Sequence, residues 1–296
     1  MSVSIECVVD AKAKTGEGAF WDVERQQLWW VDIPPGLVQC FDPATGDNQQ
    51  WDIGEPVGCL APSVRGDLIL ATRSGFWRFD PETGDKTALH DPEADIPANR
   101  FNDCATDPMG RLWAGTMKND GGPPAAAGAF YRLDADLTSM KWVDGIFTTN
   151  GLAFSPDGRT MYSADTNASV QTIWASDYDV ETGMPGERRP FFDARAVDGR
   201  PDGGTVDSDG CYWMAGVGGW QLVRLTPDGE IDRIVDLPIE RPSKPMFGGS
   251  RLDVLYVTSI GAGLTSGTED RQPHAGGLFA ITGLGVQGLP QTRFAG

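Results

Sequence analysis

Six residues recur at one place in a repeating pattern: Glu17, Cys59, Asn102, Asn150, Asp202 and Lys244 (or Pro245). Each lies 10 to 12 residues before the second residue of a short apolar run. Four of the six are acidic or amide, which is unusual for positions leading into apolar strands. Glu17, Asn150 and Asp202 together offer three hard oxygen donors and two negative charges. Carboxylate, amide carbonyl and water suit Ca²⁺, Mg²⁺ or Mn²⁺, and also accommodate Fe²⁺. Zinc fits less well, because the two histidines, His90 and His274, fall in other parts of the pattern. The same residues could instead bond one another or the strand-end backbone, and position alone leaves both readings open.

The elements that must position them are written six times. The apolar runs are LWWVD (28–32), LILAT (68–72), LWAGT (112–116), MYSAD (161–165), YWMAG (212–216) and LYVTS (255–259). Their second residues are Trp29, Ile69, Trp113, Tyr162, Trp213 and Tyr256, at spacings of 40, 44, 49, 51 and 43. That is the length of one four-stranded propeller blade. A strand and a polar turn precede each run, as in NGLAFSPDGR (150–159). A third strand follows, with turns such as FDPATGD (41–47) and FDPETGD (79–85). No long apolar pattern of period 3.6 occurs, so helices should be few. The expected fold is all-β, a six-bladed β-propeller forming a single domain over residues 1–296. Its ring would close by pairing SIECVVD (4–10) with the segment near GGLFAIT (276–282). In such a ring the innermost strands line a central channel, and their starts are where residues of different blades converge. Trp29, Trp113 and Trp213 are then packing between blades, and Met117 either lines the site or joins the core. Asp32, Thr116, Asp165 and Thr166, just after the second strands, either support the site or cap strand ends. Asp165 is the leading candidate for support.

Composition narrows the class. A net charge of −18 argues against nucleic acid as a partner, since phosphate binding needs clustered Lys and Arg. The five cysteines are scattered and lack CxxC spacing, so they read as apolar fillers in a reducing compartment. The N-terminus lacks a basic start followed by an apolar run, and no stretch approaches the ~20 apolar residues of a membrane span. A cytoplasmic protein, without a membrane partner and monomeric, is expected. GLGVQG (283–288) matches a dinucleotide fingerprint, but no strand–turn–helix unit can follow it.

Four segments, GEGAFWD (16–22), NRFND (99–103) with GRLWAGTM (110–117), TNGLAFSPDG (149–158) and RPDGGTVDSDG (200–210), carry a likeness to a known family. With KPMFGG (244–249) and HAGGLFAI (274–281), the chain resembles the gluconolactonase, regucalcin and senescence-marker-protein group of six-bladed propellers. The likeness runs over nearly the whole chain, in order and at blade spacing. It implies one divalent metal held by Glu17, Asn150 and Asp202, and substrate contacts from Arg100 and Asn102. It also implies hydrolysis of a sugar (aldono-) lactone. The metal would polarise the lactone carbonyl, and Asp202, as the catalytic residue, would assist the attacking water. The alternatives are a non-catalytic calcium-binding propeller and an organophosphate or aryl-ester hydrolase.

Overall fold

The computed structural model describes residues 2–296, and it is built almost wholly of strands. Six antiparallel sheets follow one another along the chain. The first blade runs Gly16–Asp22, Gln27–Asp32, Leu37–Phe41, Asn48–Asp52, and the second Val57–Pro62, Leu68–Thr72, Gly75–Phe79, Lys86–His90. The third is Asn99–Thr106, Leu112–Lys118, Gly128–Leu133, Ser139–Ile146. The fourth is Thr149–Phe154, Thr160–Asp165, Thr172–Asp179, with an outer edge split into Met184–Pro185 and Arg189–Asp193. The fifth is Arg200–Val206, Tyr212–Val217, Gln221–Leu225, Ile231–Asp236. Two 3₁₀ turns, Ala194–Ala196 and Glu269–Arg271, are the helical segments among the described residues, and neither is long enough to cross a membrane. The six-bladed propeller read from the repeats is the observed fold.

The sixth blade closes the ring. Pro242–Gly248, Val254–Ser259 and Leu278–Thr282 come from the C-terminal part, and Ser4–Val9 adds the outer strand, with Ser4 opposite Thr282 and Ile5 opposite Ile281. Each innermost strand packs against those of both neighbouring blades, and the first blade's packs against the sixth's. The expected closure is therefore the one seen.

Local chemistry explains the blades. In the turns 42–46, 80–84 and 179–183 the leading Asp accepts a backbone N–H two residues on. Gly46, Gly84 and Gly183 complete these turns at φ of +81°, +79° and +67°, where a side chain would be strained. Between blades the repeat's aromatics interlock: Trp113 donates Nε1–H to Tyr178 of the next blade at 2.9 Å, and Trp213 meets Phe247 edge-on at 6.0 Å. The innermost strands are buried on both faces, so they carry small residues. A Cβ at Gly58 would sit 2.3 Å from the Phe101 carbonyl oxygen of the adjacent blade. The cysteines are free, and Cys40, Cys59, Cys104 and Cys211 are buried.

Every innermost strand shifts register against its neighbour just past its start. The shifts fall between Glu17 and Phe20, Val57 and Cys59, Phe101 and Cys104, Asn150 and Ala153, Pro201 and Gly204, and Pro242 and Pro245. A bulge breaks the strict in–out alternation of a strand and re-aims the side chains it carries. The residues singled out in the sequence sit at these bulges.

Candidate active site at the mouth of the axial channel

Glu17, Asn102, Asn150 and Asp202 are all buried at the starts of four innermost strands, and Arg100 lies half-buried beside them. The five residues chosen from sequence thus gather at one end of the channel. A directional chain of hydrogen bonds joins three of them, Arg100, Asn102 and Asn150. Arg100 Nη1 donates to Asn102 Oδ1 at 2.7 Å, and also to the Phe101 carbonyl at 2.8 Å. Asn102 Nδ2 donates to the Thr149 carbonyl at 2.8 Å and to Asn150 Oδ1 at 3.2 Å. Asn150 Nδ2 donates to Thr166 Oγ1 at 2.7 Å, and Thr166 Oγ1 donates to the Pro201 carbonyl at 2.6 Å.

The polarity of this chain is forced. A guanidinium can only donate and a carbonyl can only accept, so every amide between Arg100 and Pro201 has its orientation settled. Asn150 must turn its NH₂ to Thr166 and its oxygen the other way. That oxygen keeps a lone pair beyond the one Asn102 uses, which leaves it free for a cation.

The two acidic residues have the opposite character. The Glu17 carboxylate accepts one hydrogen bond, from the Gly18 amide at 3.2 Å, and no basic side chain lies within ion-pair distance of Glu17 or Asp202 among the described residues. Burial pushes the Glu17 carboxyl well above its ordinary range, and the charges of Asp202 and Asp103 push it further. Burial likewise raises Asp202 to about 7, with the charge of Asp103 adding to it. Two buried carboxylates that destabilise one another's charge, beside an amide oxygen with a free lone pair, make a donor set that fits a hard divalent cation. Arg100 feels the same burial, which lowers it to about 10 against the pull of Glu17.

Deeper along the axis lies a pair that sequence reasoning did not anticipate. Lys244 of the sixth blade reaches across the channel to the third, where its Nζ meets Asp103 Oδ1 at 2.8 Å with both side chains buried. The other Asp103 oxygen accepts the Leu152 amide at 3.0 Å. Burial alone would depress Lys244, but the Asp103 carboxylate outweighs it and holds the ammonium above its ordinary value. In the sequence Lys244 stands out only as a strand start. Asp103 was overlooked because alternation sends the neighbour of Asn102 to the opposite face, and the bulge between Phe101 and Cys104 cancels that rule.

The flanking candidates separate by role. Asp165 accepts the amides of Phe147, Thr148 and Asn167, and Asp32 accepts those of Lys14 and Thr15, so both hold the loops that lead into strand starts. Thr166, rather than Asp165, touches Asn150 directly. Thr116 is turned to Glu93, away from the axis. Met117 is half-buried opposite Arg100 in the strand register.

A closed six-bladed ring with a polar mouth, two unpaired buried carboxylates and an oriented amide defines a propeller with a cation-competent axial site. The chain belongs to the SMP-30/gluconolactonase/LRE-like family, whose profile matches residues 15–261. It is 36% identical to regucalcin of Xenopus laevis over 299 aligned positions, covering 100% of this chain and 99% of that protein. It is 35% identical to the 6-deoxy-6-sulfogluconolactonase of Pseudomonas putida, covering 100% of both. Among solved structures, the calcium-binding regucalcin of Agrobacterium tumefaciens superposes with a TM-score of 0.92 at 27% identity, covering 98% of this chain and 97% of that one. The family resemblance drawn from the motifs is borne out.

Proposed function

We propose that this protein hydrolyses a sugar (aldono-) lactone to the corresponding sugar acid, with one divalent cation held by Glu17, Asn150 and Asp202. The observation that carries the reading is the pair of buried, unpaired carboxylates beside an amide oxygen whose direction the Arg100–Pro201 chain dictates. Family membership and the lactonase named among the relatives support the same chemistry. Ca²⁺, Mg²⁺, Mn²⁺ and Fe²⁺ all suit this donor set, and Zn²⁺ suits it less.

When bound, the cation supplies Lewis-acid polarisation of the lactone carbonyl. The protein's own residues do the rest. An Asp202 carboxylate oxygen orients the attacking water and takes its proton as the tetrahedral centre forms. Among the described residues Arg100 is bonded through Nη1 alone, so Nη2 and Nε–H remain to hold sugar hydroxyls. Asn102, locked by three hydrogen bonds, fixes where the guanidinium points, and the remaining lone pair of its Oδ1 accepts from a sugar hydroxyl. The Lys244–Asp103 pair lies below the site, where the ammonium partly offsets a third negative charge.

The regucalcin relatives favour a second reading, a calcium-binding propeller without turnover. A pH-indicator assay with D-glucono-1,5-lactone and D-xylonolactone separates the two. Metal-dependent acceleration, lost with EDTA and restored by added cation, is the expected result. Bound metal with no acceleration of either lactone would favour the non-catalytic reading.

A further inference from the structure

The chain carries 42 acidic and 24 basic residues, yet three guanidiniums at the strand starts around the mouth, Arg100, Arg200 and Arg241, form no ion pair among the described residues. Arg200 opens the innermost strand of the fifth blade, two residues before Asp202, and none of its side-chain nitrogens finds a partner among the described residues. Arg241 immediately precedes the innermost strand of the sixth, next-door blade. Its Nη1 is clamped by the carbonyls of Ala262 and Gly263 at 2.7 and 2.8 Å, leaving the rest of the guanidinium uncommitted. The clamp is firm because the segment beyond it is tied down: Glu240 accepts the Thr265 amide at 2.9 Å and Gln272 Nε2 at 3.2 Å. Arg100 is arranged in the same way, with Nη1 committed and the remainder open. Arg200 and Arg241 are half-buried, and their charges reach Asp202, where they act against the burial and the Asp103 charge that raise its carboxyl.

The charges do not balance for a neutral ligand. Glu17 and Asp202 are matched by one divalent cation, and Lys244 by Asp103. Three guanidiniums then remain without an ion-pair partner among the described residues, and Glu240, whose charge feels Arg241, spends its oxygens on Thr265, Thr268 and Gln272. A neutral sugar ring leaves these cations without a counter-charge. A ligand with an ionised group placed away from its ester would supply one, through the charge-assisted, fork-shaped contacts that arginine makes with oxyanions.

We propose that Arg200 and Arg241, beside Arg100, form an anion subsite at the channel mouth that takes a lactone bearing a second, ionised group: a carboxylate, sulfonate or phosphate at the far end of its sugar chain. The proposal rests on the lactonase reading above and names the class of lactone that this site prefers. The surplus positive charge also draws such a substrate past the repulsion of a strongly acidic surface.

The test compares D-glucaro-1,4-lactone and 6-phosphoglucono-1,5-lactone with neutral D-glucono-1,5-lactone on the metal-loaded enzyme. At low salt the better anionic lactone should show a kcat/KM about tenfold above the neutral one, an advantage that shrinks as ionic strength rises. Whichever anionic lactone leads identifies the oxyanion the subsite fits. Arg200→Gln, whose side chain has no partner to lose, and Arg241→Gln should each remove most of that advantage while leaving the neutral lactone within about twofold. Equal kcat/KM for neutral and anionic lactones, or variants that lower both alike, would overturn the subsite. If no lactone is turned over, the lactonase reading fails, and calorimetry of D-glucarate against D-gluconate still reads the subsite. Tighter glucarate binding that both variants abolish upholds it, and equal binding sinks it.

Discussion

The two ends of the axial channel are lined by the same six strands, a few residues apart, and they do opposite things. At the strand starts stand Glu17, Asn102, Asn150 and Asp202, with Arg100, Arg200 and Arg241 around them. Beyond the Lys244–Asp103 pair a cavity of about 290 Å³ has a mixed lining, Ala19, Leu60, Leu152 and Met246 alternating with the hydroxyls of Thr106 and Thr205, and no carboxylate among the described residues enters it. That end is closed by the chain itself. Residues 289–292 line the cavity, the Phe294 amide donates to Pro62 at 2.9 Å, and Phe294 is fully buried in the cluster that includes Phe20 and Leu60. One end stores electrostatic strain that a ligand can relieve, and the other stores packing. The lesson is that a propeller can concentrate destabilising charge at one mouth because the remaining length of each inner strand is buried and plugged. Damage at the two ends should therefore read out differently.

The sharpest way to break this division is at its boundary. Lys244→Met leaves Asp103 buried and unpaired, so unfolding in urea should show a loss of about 3–5 kcal/mol. Adding Asp103→Asn should restore most of it; a single variant as stable as the parent would mean the pair contributes nothing. At the mouth, Asp202→Asn should lower lactone turnover about 10²–10³-fold. In EDTA its melting temperature should equal or exceed that of the parent, because one of two opposed buried charges is gone. Full activity with metal still bound would remove Asp202 from the role of base. At the plugged end, Phe294→Ala should cost about 3 kcal/mol of stability, toward the lower end for a buried aromatic, and leave kcat/KM unaltered. A change in kcat there would show that the ends are coupled. The smallest expected effect belongs to Thr166→Val, which removes one of the two hydrogen bonds that orient the Asn150 amide. Cation affinity should fall about tenfold while folding stability moves by less than about 1.5 kcal/mol, measured by metal titration and thermal melts.

Much of this architecture is legible in the amino-acid sequence. The sixfold run of LWWVD-like segments announced the blades because an inter-blade core needs the same aromatic and aliphatic residues in each copy. Counting back from those markers reached Glu17, Asn102, Asn150 and Asp202 because strand and turn lengths within a blade vary little. Asp103 was hidden by its bulge, and Thr166 ranked behind Asp165 because sequence cannot tell a residue that holds a loop from one that holds a side chain. Arg200 and Arg241 look like ordinary surface charges in the chain. What marks them is that neither forms an ion pair among the described residues.

By itself, then, the amino-acid sequence determined the strand repeat, the number of blades, the closing strand and the chemical types gathered at the strand starts. These follow from local periodicity, turn chemistry and burial, which neighbouring residues decide among themselves. The tertiary structure alone decided which way the Asn150 amide faces, that Asn102 and its neighbour Asp103 both serve the channel, and that Lys244 finds Asp103 across 141 residues of chain. Ring closure is the physical reason. It sets opposite blades face to face across the axis and so creates fields and hydrogen-bond directions that no local stretch of sequence contains.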